Sequence, residues 1–124
     1  MIVGIGIDIV QISRMSRWRA KETLLARYFH PNELAAARRR GETFDHSLAA
    51  RFAAKEALGK ALGTGMAGLR LREIEVINDS NGKPSMRLYG TSRAIFEASG
   101  GEKLFLSLTH ESDNAIALVV IEGA

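Results

Sequence analysis

The first residues of the chain alternate between branched apolar side chains and small or polar ones, and this alternation predicts a β-strand over residues 2–10. One face of that strand carries four branched side chains, which are Val3, Ile5, Ile7 and Ile9. We expect this face to pack against the core. The other face presents Gly4 and Gly6, followed by Asp8. Because glycine leaves bare backbone in a strand, we expect another part of the molecule to approach this face closely.

The apolar spacing that follows the strand is typical of helices. A first helix is predicted over residues 13–29, with Ser13 as its N-cap. A second helix is predicted to start at His30-Pro31, with the proline in its first position, and to end near Gly41. The remaining predicted elements are a helix over 46–62, strands over 71–77 and 84–89, a helix over 91–99, and strands over 104–109 and 115–121.

This order of elements predicts an α+β fold, in which an antiparallel sheet packs against helices. The 124 residues suffice for one hydrophobic core, and no linker divides residues 1–124, so we expect a single domain. The absence of cysteine excludes disulfides, cysteine-ligated zinc and a cysteine nucleophile. The apolar runs are far shorter than the ~20 residues of a membrane span, and no basic segment precedes the first strand, so we expect a cytoplasmic protein.

Positive charge is concentrated in the first third of the chain. The formal net charge is only +3, but the stretch from Arg14 to Arg40 contains eight basic residues against two acids, Glu22 and Glu33. Such a field suits a nucleic acid, a phosphorylated ligand or an acidic protein partner. No Walker A, GxSxG or GxGxxG motif narrows this choice, and the three histidines lack the spacing of a zinc site.

Two carboxylates are candidates for chemistry. Glu56 precedes Lys60 by one helical turn, among alanines that leave room for a ligand, although the pair also fits a simple surface ion pair. Asp8 is either a strand-end residue that caps a turn or a hard oxygen ligand. Together, Asp8 and Glu56 would provide two carboxylates, which is what Mg²⁺ commonly takes from a protein.

Other residues have a structural and a functional interpretation. Lys55 lies on the apolar arc of its helix, where it either extends its ammonium to water or holds an anion at the edge of the core. The Gly63-Thr64-Gly65 sequence either ends the helix or forms a nest of backbone amides around phosphate oxygens. His110 is interpreted as a half-buried residue at a strand end, and His30 and His46 as helix-start residues.

Several segments together resemble one known family. They are Gly4-Ile-Gly-Ile-Asp8, Arg51-Phe-Ala-Ala-Lys-Glu56-Ala-Leu-Gly-Lys60-Ala-Leu-Gly-Thr-Gly65, Asn81-Gly-Lys-Pro84 and Leu106-Ser-Leu-Thr-His110. With these segments at matching separations, the chain resembles, nearly from end to end, the holo-[acyl-carrier-protein] synthases, which are small bacterial 4′-phosphopantetheinyl transferases. The resemblance implies transfer of 4′-phosphopantetheine from coenzyme A to a serine hydroxyl of apo acyl carrier protein, with release of adenosine 3′,5′-bisphosphate.

The same resemblance implies Mg²⁺ as the metal, acyl carrier protein as the partner, and a homotrimer with active sites between subunits. It assigns Asp8 and Glu56 to the metal. Its catalytic residues are Lys60, Glu56 and Glu33, with Glu33 as a candidate general base alongside a metal-bound water. The resemblance places Lys60 and His110 at coenzyme A, and the positions of Lys55, Gly63, Thr64 and Gly65 in the sequence add them as candidate coenzyme A-binding residues. The resemblance places Arg14 at the carrier protein, and Arg51 is predicted to bind the carrier protein as well.

Two residues depart from the family pattern, since Gln11 stands where relatives often have an acid and His30 where they often have a Thr or Ser helix cap. Two alternative functions are compatible with parts of this sequence. A basic RNA- or DNA-binding module would use the arginine cluster, but the chain has no nucleic-acid-binding motif. An inactive relative that only binds coenzyme or carrier protein would not be expected to retain Asp8, Glu56 and Lys60 together.

Overall fold

Strand β1 (Ile2–Gln11) pairs along its length with β5 (Asn114–Glu122), and β5 pairs on its other side with β4 (Lys103–His110). Both pairings are antiparallel, so the first and last segments of the chain form one three-stranded sheet. The computed structural model describes all residues from 1 to 124. The predicted α+β class and the β4–β5 hairpin are confirmed.

A separate hairpin consists of β2 (Ile74–Asn78) and β3 (Pro84–Leu88). Its turn is held by Asp79, whose Oδ1 accepts hydrogen bonds from two backbone N–H groups of the turn, at 2.8 and 2.9 Å. Such side-chain bonds replace ladder bonds where the backbone reverses. The prediction that β2 starts at residue 71 is wrong, because residues 71–73 form a turn of 3₁₀ helix.

The predicted helix over residues 13–29 is interrupted, and two shorter helices take its place, α1 (Ser13–Ser16) and α2 (Glu22–Tyr28). The break allows aromatic side chains to meet. In a continuous helix, Trp18 and Tyr28 would be about 15 Å apart, whereas their ring centroids here are 5.3 Å apart. Packing between these rings therefore outweighs the local preference for one long helix.

Helix α3 (Pro31–Arg38) begins as predicted, with proline in its first turn. His30 acts as the N-cap, because its Nδ1 accepts the Asn32 N–H at 3.1 Å while Glu33 Oε1 accepts the His30 N–H at 3.0 Å. The imidazole thus performs the capping role usually taken by Ser or Thr. The prediction that Ser13 caps the first helix is wrong, since Ser13 lies inside α1 and makes no capping bond.

Helix α4 (Phe44–Leu62) is the central element and packs on β1 and β5. It starts two residues earlier than predicted and ends where predicted, at Gly63, whose φ of +79° is the left-handed conformation of a helix C-cap. Helix α5 (Gly90–Ala98) follows the β2–β3 hairpin. None of the helices has the length and hydropathy that a membrane crossing requires.

The prediction that the isoleucine face of β1 packs against the core is wrong. The isoleucine face is exposed in the isolated chain, with Ile5 at 64% and Ile7 at 60% of full exposure. The glycine face instead lies against α4, so the close approach predicted for it is confirmed. The alternation identified a strand but could not tell which face meets the core, because a bare glycine face can accept a helix at short range.

Candidate active site

The crossing of β1 over α4 brings the candidate residues together. A Cβ added to Gly4 would lie 2.1 Å from the carbonyl oxygen of Ala61, and a Cβ added to Gly6 would lie 2.0 Å from that of Ala57. Only glycine permits backbone contact this close. Because Asp8 follows Gly6 on the same face of the strand, the crossing places the Asp8 carboxylate beside α4.

Asp8 and Lys60 make the first contact of the site. Lys60 Nζ lies 3.0 Å from Asp8 Oδ1 and also donates a hydrogen bond to the carbonyl oxygen of Ile7 at 3.0 Å. The Asp8 side chain is only 10% exposed, and its second oxygen, Oδ2, is buried without a hydrogen-bond partner. A buried oxygen of this kind is costly unless a ligand satisfies it.

Glu56 lies one helical turn before Lys60. Partial burial, followed by the neighbouring charge of Asp8, raises the pKa of Glu56, although Arg14 and Lys60 act in the opposite direction. Arg14 NH1 lies 4.0 Å from Glu56 Oε1, and the Arg14 guanidinium lies over the Trp18 ring. A carboxylate whose ionised form is disfavoured by a second carboxylate is stabilised by a bound cation.

These two carboxylates fit Mg²⁺. No three His, Cys, Asp or Glu side chains form a metal-binding cluster. Mg²⁺, however, is usually held by one or two carboxylates and completes its shell with water and substrate phosphates. The unpartnered Oδ2 of Asp8 and the raised pKa of Glu56 are the features that such a cation would relieve. They favour Asp8 as a ligand over Asp8 as a turn cap.

The loop that follows α4 turns back on the helix. The Gly63 N–H donates to the carbonyl oxygen of Lys60, and the Gly65 N–H donates to that of Gly59, both at 3.0 Å. These two amides are therefore already bonded at the helix end, which corrects the expectation that they form a phosphate nest. The helix-end interpretation explains the loop, and Thr64 is left exposed at its tip.

A second polar site lies between α4, the β2–β3 hairpin and the end of β4. It is a cavity of about 240 Å³, and no Asp or Glu lines it. Its lining includes two arginines and two histidines, which are Arg40, Arg51, His46 and His110. The His46 and His110 rings meet edge to face, 5.9 Å apart, and His46 Nδ1 is buried without a partner. Four such side chains without an acid favour an anionic ligand.

Sequence reasoning missed His46 as a site residue. No spacing rule connects His46 with His110, because the two belong to α4 and β4 and meet only in the folded chain. His110 itself is exposed at the cavity rather than half-buried, which corrects that expectation.

Lys55 is not available to a phosphate, which corrects its assignment to coenzyme binding. Its side chain is fully buried, and Nζ donates to Glu33 Oε1 at 2.6 Å, to the Leu71 carbonyl at 2.7 Å and to the Ile74 carbonyl at 2.5 Å. An ammonium has three donors, and all three are used. Burial lowers the pKa of Lys55, while the charge of Glu33 opposes that shift.

Glu33 cannot act as the general base, because it is buried with its partners. Its Oε1 accepts from Lys55 and from the His30 N–H, and its Oε2 accepts from the Val76 N–H at 3.0 Å. A general base must reach the proton it abstracts, directly or through one water. Both oxygens of Glu33 are instead directed into the protein.

The two arginines assigned to the carrier protein lie in different environments. Arg14 is about half exposed beside Glu56, as expected for a residue on a partner surface. Arg51 is buried, and its NH1 donates to the Val76 carbonyl at 2.8 Å. The assignment of Arg51 to a protein-docking surface is therefore wrong, and the structure places it in the wall of the cavity.

The chain is similar to known proteins in both sequence and fold. A family model described as the 4′-phosphopantetheinyl transferase superfamily matches residues 4–119. A holo-[acyl-carrier-protein] synthase of Treponema denticola is 49% identical over 123 residues, which cover 99% of this chain and 100% of the relative. The holo-[acyl-carrier-protein] synthase structure from Neisseria meningitidis superposes with a TM-score of 0.87 at 37% identity, covering 98% of this chain and 99% of that one.

A further solved structure, from Bacillus anthracis, is described as a holo-(acyl-carrier-protein) synthase in complex with CoA (3′,5′-ADP). It superposes with a TM-score of 0.82 at 35% identity and covers 100% of this chain and 99% of that one. Sequence and fold agree over the whole length of these relatives. The chain therefore belongs to the holo-[acyl-carrier-protein] synthase family of 4′-phosphopantetheinyl transferases.

Proposed function

We propose that this chain transfers 4′-phosphopantetheine from coenzyme A to a serine hydroxyl of apo acyl carrier protein and releases adenosine 3′,5′-bisphosphate. The observation that carries the proposal is the group of Asp8, Glu56 and Lys60 at the crossing of β1 and α4. This group joins two carboxylates suited to Mg²⁺ to an ammonium suited to phosphate. The attacking hydroxyl belongs to the partner, so the chain needs no nucleophile of its own.

In this mechanism, Asp8 and Glu56 would hold Mg²⁺, which when bound would supply Lewis-acid stabilisation of the negative charge that develops on the phosphoryl oxygens. Lys60 can add a second positive charge, because its side chain is 55% exposed while its Nζ is held beside Asp8. Fixed charges aimed at the reacting group, together with positioning of the two substrates, account for most of the rate enhancement of such a transfer.

The serine proton must leave during attack. Glu33 is excluded as its acceptor by burial. We propose instead that a water hydrogen-bonded to the Asp8 or Glu56 carboxylate would relay the proton to solvent, since these are the carboxylates that lie at the reaction site.

We assign the nucleotide part of coenzyme A to the basic cavity. Its phosphates would meet Arg40, Arg51 and the histidine pair, without repulsion from any acidic lining residue. His110 keeps its expected role near the nucleotide, and His46 joins it. Thr64 and the loop after α4 lie beyond Lys60, at the opposite end of the helix from this cavity, so we assign them no contact with the nucleotide.

We place the carrier protein on the basic surface of α1 and α2. Arg14 lies there beside Glu56, so a serine docked on this surface would approach the metal site. Positive charge on this surface would also speed the encounter with an acidic partner.

We further propose that the chain acts as a homotrimer. Several large apolar side chains of β1, and one of β4, are exposed. They are Ile2, Val3, Ile5, Ile7 and Ile9 of β1, and Phe105 of β4. Exposed apolar faces of this extent typically mark an interface, and we assign this one to other copies of the chain, with active sites completed between subunits.

Intact-mass spectrometry of apo acyl carrier protein tests the proposal. After incubation with this protein, Mg²⁺ and coenzyme A, the carrier protein should gain the mass of one 4′-phosphopantetheine group. Carrier proteins from several sources that all remain unmodified would overturn the proposal. Tight RNA binding that resists salt would instead support the nucleic-acid alternative.

A further inference from the structure

The outer edge of the β2–β3 hairpin lacks a neighbouring strand. Strand β2 pairs only with β3. On its other edge, the backbone groups of Ile74 and Val76 would be left without partners inside the protein, since both residues are buried. A buried backbone N–H or carbonyl without a hydrogen bond is strongly unfavourable.

Charged side chains from two helices take the place of the missing strand. Glu33 of α3 accepts the Val76 N–H at 3.0 Å, and Arg51 of α4 donates to the Val76 carbonyl at 2.8 Å. Lys55 of α4 donates to the Ile74 carbonyl and also to Glu33. Both polar groups of Val76 and the carbonyl of Ile74 are thereby satisfied by three buried charged residues.

The same hairpin forms one wall of the basic cavity. Asn78 ends β2, and Gly82 and Pro84 belong to the turn and the start of β3, and all three line the cavity. Arg51 lines it as well. The position of this wall relative to α4 is therefore set by the hydrogen bonds that fix β2 two residues before Asn78.

We propose that the buried Glu33–Lys55 pair is a positioning device, which holds the β2–β3 hairpin at the distance from α4 that the nucleotide cavity requires. Neither residue touches the reacting groups. The pair acts through Val76 and Ile74 on the hairpin, and so on nucleotide affinity. The identity of the nucleotide in this inference rests on the proposed function. The hydrogen bonds from which the inference is argued do not depend on that function.

The alternative is that Lys55 acts on the phosphates during transfer. The two roles separate in kinetics. Loss of a positioning contact should weaken binding of the nucleotide and raise the KM for coenzyme A, with little change of kcat. Loss of a group that stabilises the transition state should lower kcat.

The test compares Lys55→Met with Lys60→Met, the same substitution at two positions of one helix. For Lys55→Met, we expect about tenfold or greater loss of affinity for adenosine 3′,5′-bisphosphate in calorimetry, a matching rise of KM for coenzyme A, and kcat within about threefold of the parent. Lys60→Met should instead lower kcat by at least about a hundredfold.

Hydrogen exchange adds a measurement that needs neither substrate. The Val76 amide should exchange about tenfold faster or more in Lys55→Met and in Glu33→Gln, while the amides in the middle of α4 keep their protection. The exchange rate of the Val76 amide can be measured even if the parent protein fails to modify any carrier protein. Failure of the inference and failure of the proposed function are therefore distinguishable.

Removal of one charge from a buried pair can unfold a protein. The double variant Glu33→Leu/Lys55→Met removes both charges and serves if the single variants do not fold. It should fold and show the same loss of nucleotide affinity. Unchanged Val76 exchange and nucleotide affinity would overturn the proposal, as would a fall of kcat without loss of affinity. If none of these variants folds, the pair supports the whole fold rather than the hairpin, and the proposal is also overturned.

Discussion

The carbonyl oxygen of Ala57 occupies the space that a side chain on Gly6 would need, with only 2.0 Å between that oxygen and an added Cβ. This contact, and the similar one at Gly4, allows β1 to cross α4 at backbone distance. The crossing sets the position of Asp8 relative to Glu56 and Lys60. The glycines at the start of the chain therefore help to position the residues of the candidate active site.

Gly6→Ala should destabilise the protein by at least about 2 kcal/mol, because the added methyl group forces the strand away from the helix. Chemical denaturation measures this loss. Ser80→Ala, exposed in the β2–β3 turn, is the control and should change stability by less than about 0.5 kcal/mol. Equal effects of the two substitutions would show that the strand and the helix do not meet as described.

Asp8→Asn and Glu56→Gln should each reduce turnover by at least about two orders of magnitude while the protein stays folded, because each removes a negative charge from the proposed metal site. Circular dichroism checks the fold, and the transfer rate is followed over a series of Mg²⁺ concentrations. Glu97→Gln, on the exposed surface of α5, is the matched control and should keep full activity. Near-normal rates in both site variants would refute the metal assignment.

Removal of divalent metal should have the same effect as these substitutions. A chelator should stop the transfer by the unaltered protein, and added Mg²⁺ should restore it. Transfer that continues at full rate in excess chelator would show that Asp8 and Glu56 do not work through a cation.

Substitution of Ile5 and Ile7 by Asp should prevent association of the chains, because buried charges replace the apolar contacts of the proposed interface. Light scattering coupled to size exclusion should then give a mass near the 13.5 kDa of one chain. Ser80→Asp, in the hairpin turn, should leave the oligomer intact. A parent protein that already runs as a single chain would contradict the trimer.

The hydrogen bond between the Tyr89 hydroxyl and Glu75 Oε1 predicts a dependence of stability on pH. Burial alone would raise the pKa of Glu75, but the bonds donated by Tyr89 and Asn32 hold that pKa below its ordinary value of 4.5. Because the pKa of Glu75 is lower in the folded protein than in the unfolded chain, the carboxylate stabilises the fold at pH values above its unfolded-state pKa. This stabilisation is lost as the pH falls through the folded-state pKa. Tyr89→Phe should therefore destabilise the protein at pH 7 and have a shrinking effect below pH 4.5.

Thermal unfolding of the parent and Tyr89→Phe across this range provides the measurement. As the pH falls below 4.5, the melting temperature of the parent should decrease more than that of the variant. A difference between the two that stays constant with pH would mean that the hydroxyl does not act through the Glu75 carboxylate.

The sequence was most informative where local pattern and tertiary packing agree. The His30-Pro31 start of α3, the Gly63 end of α4 and the β4–β5 hairpin follow from caps and alternation, which depend on near neighbours. Asp8, Glu56 and Lys60 were selected on the same basis and on the resemblance. The structure places Asp8 within 3.0 Å of Lys60.

The errors arise where long-range packing decides. Lys55 was interpreted from its helical face, but its partner Glu33 lies 22 residues away on another helix, so the spacing could not reveal that its charge is fully buried. His46 was given no role for the same reason. The exposed isoleucine face of β1 was assigned to the core because alternation does not report whether a face meets its own chain or another.

The proposed function requires that the site formed by Asp8, Glu56 and Lys60 transfers 4′-phosphopantetheine. The most direct measurement follows intact carrier-protein mass and adenosine 3′,5′-bisphosphate release in one reaction, with the parent protein and Asp8→Asn in parallel. We expect the parent to add one phosphopantetheine group for each bisphosphate released. We expect Asp8→Asn to stay folded but to transfer the group, and release the bisphosphate, far more slowly than the parent. Carrier protein that stays unmodified with the parent, or is modified equally fast by Asp8→Asn, would contradict the proposed function.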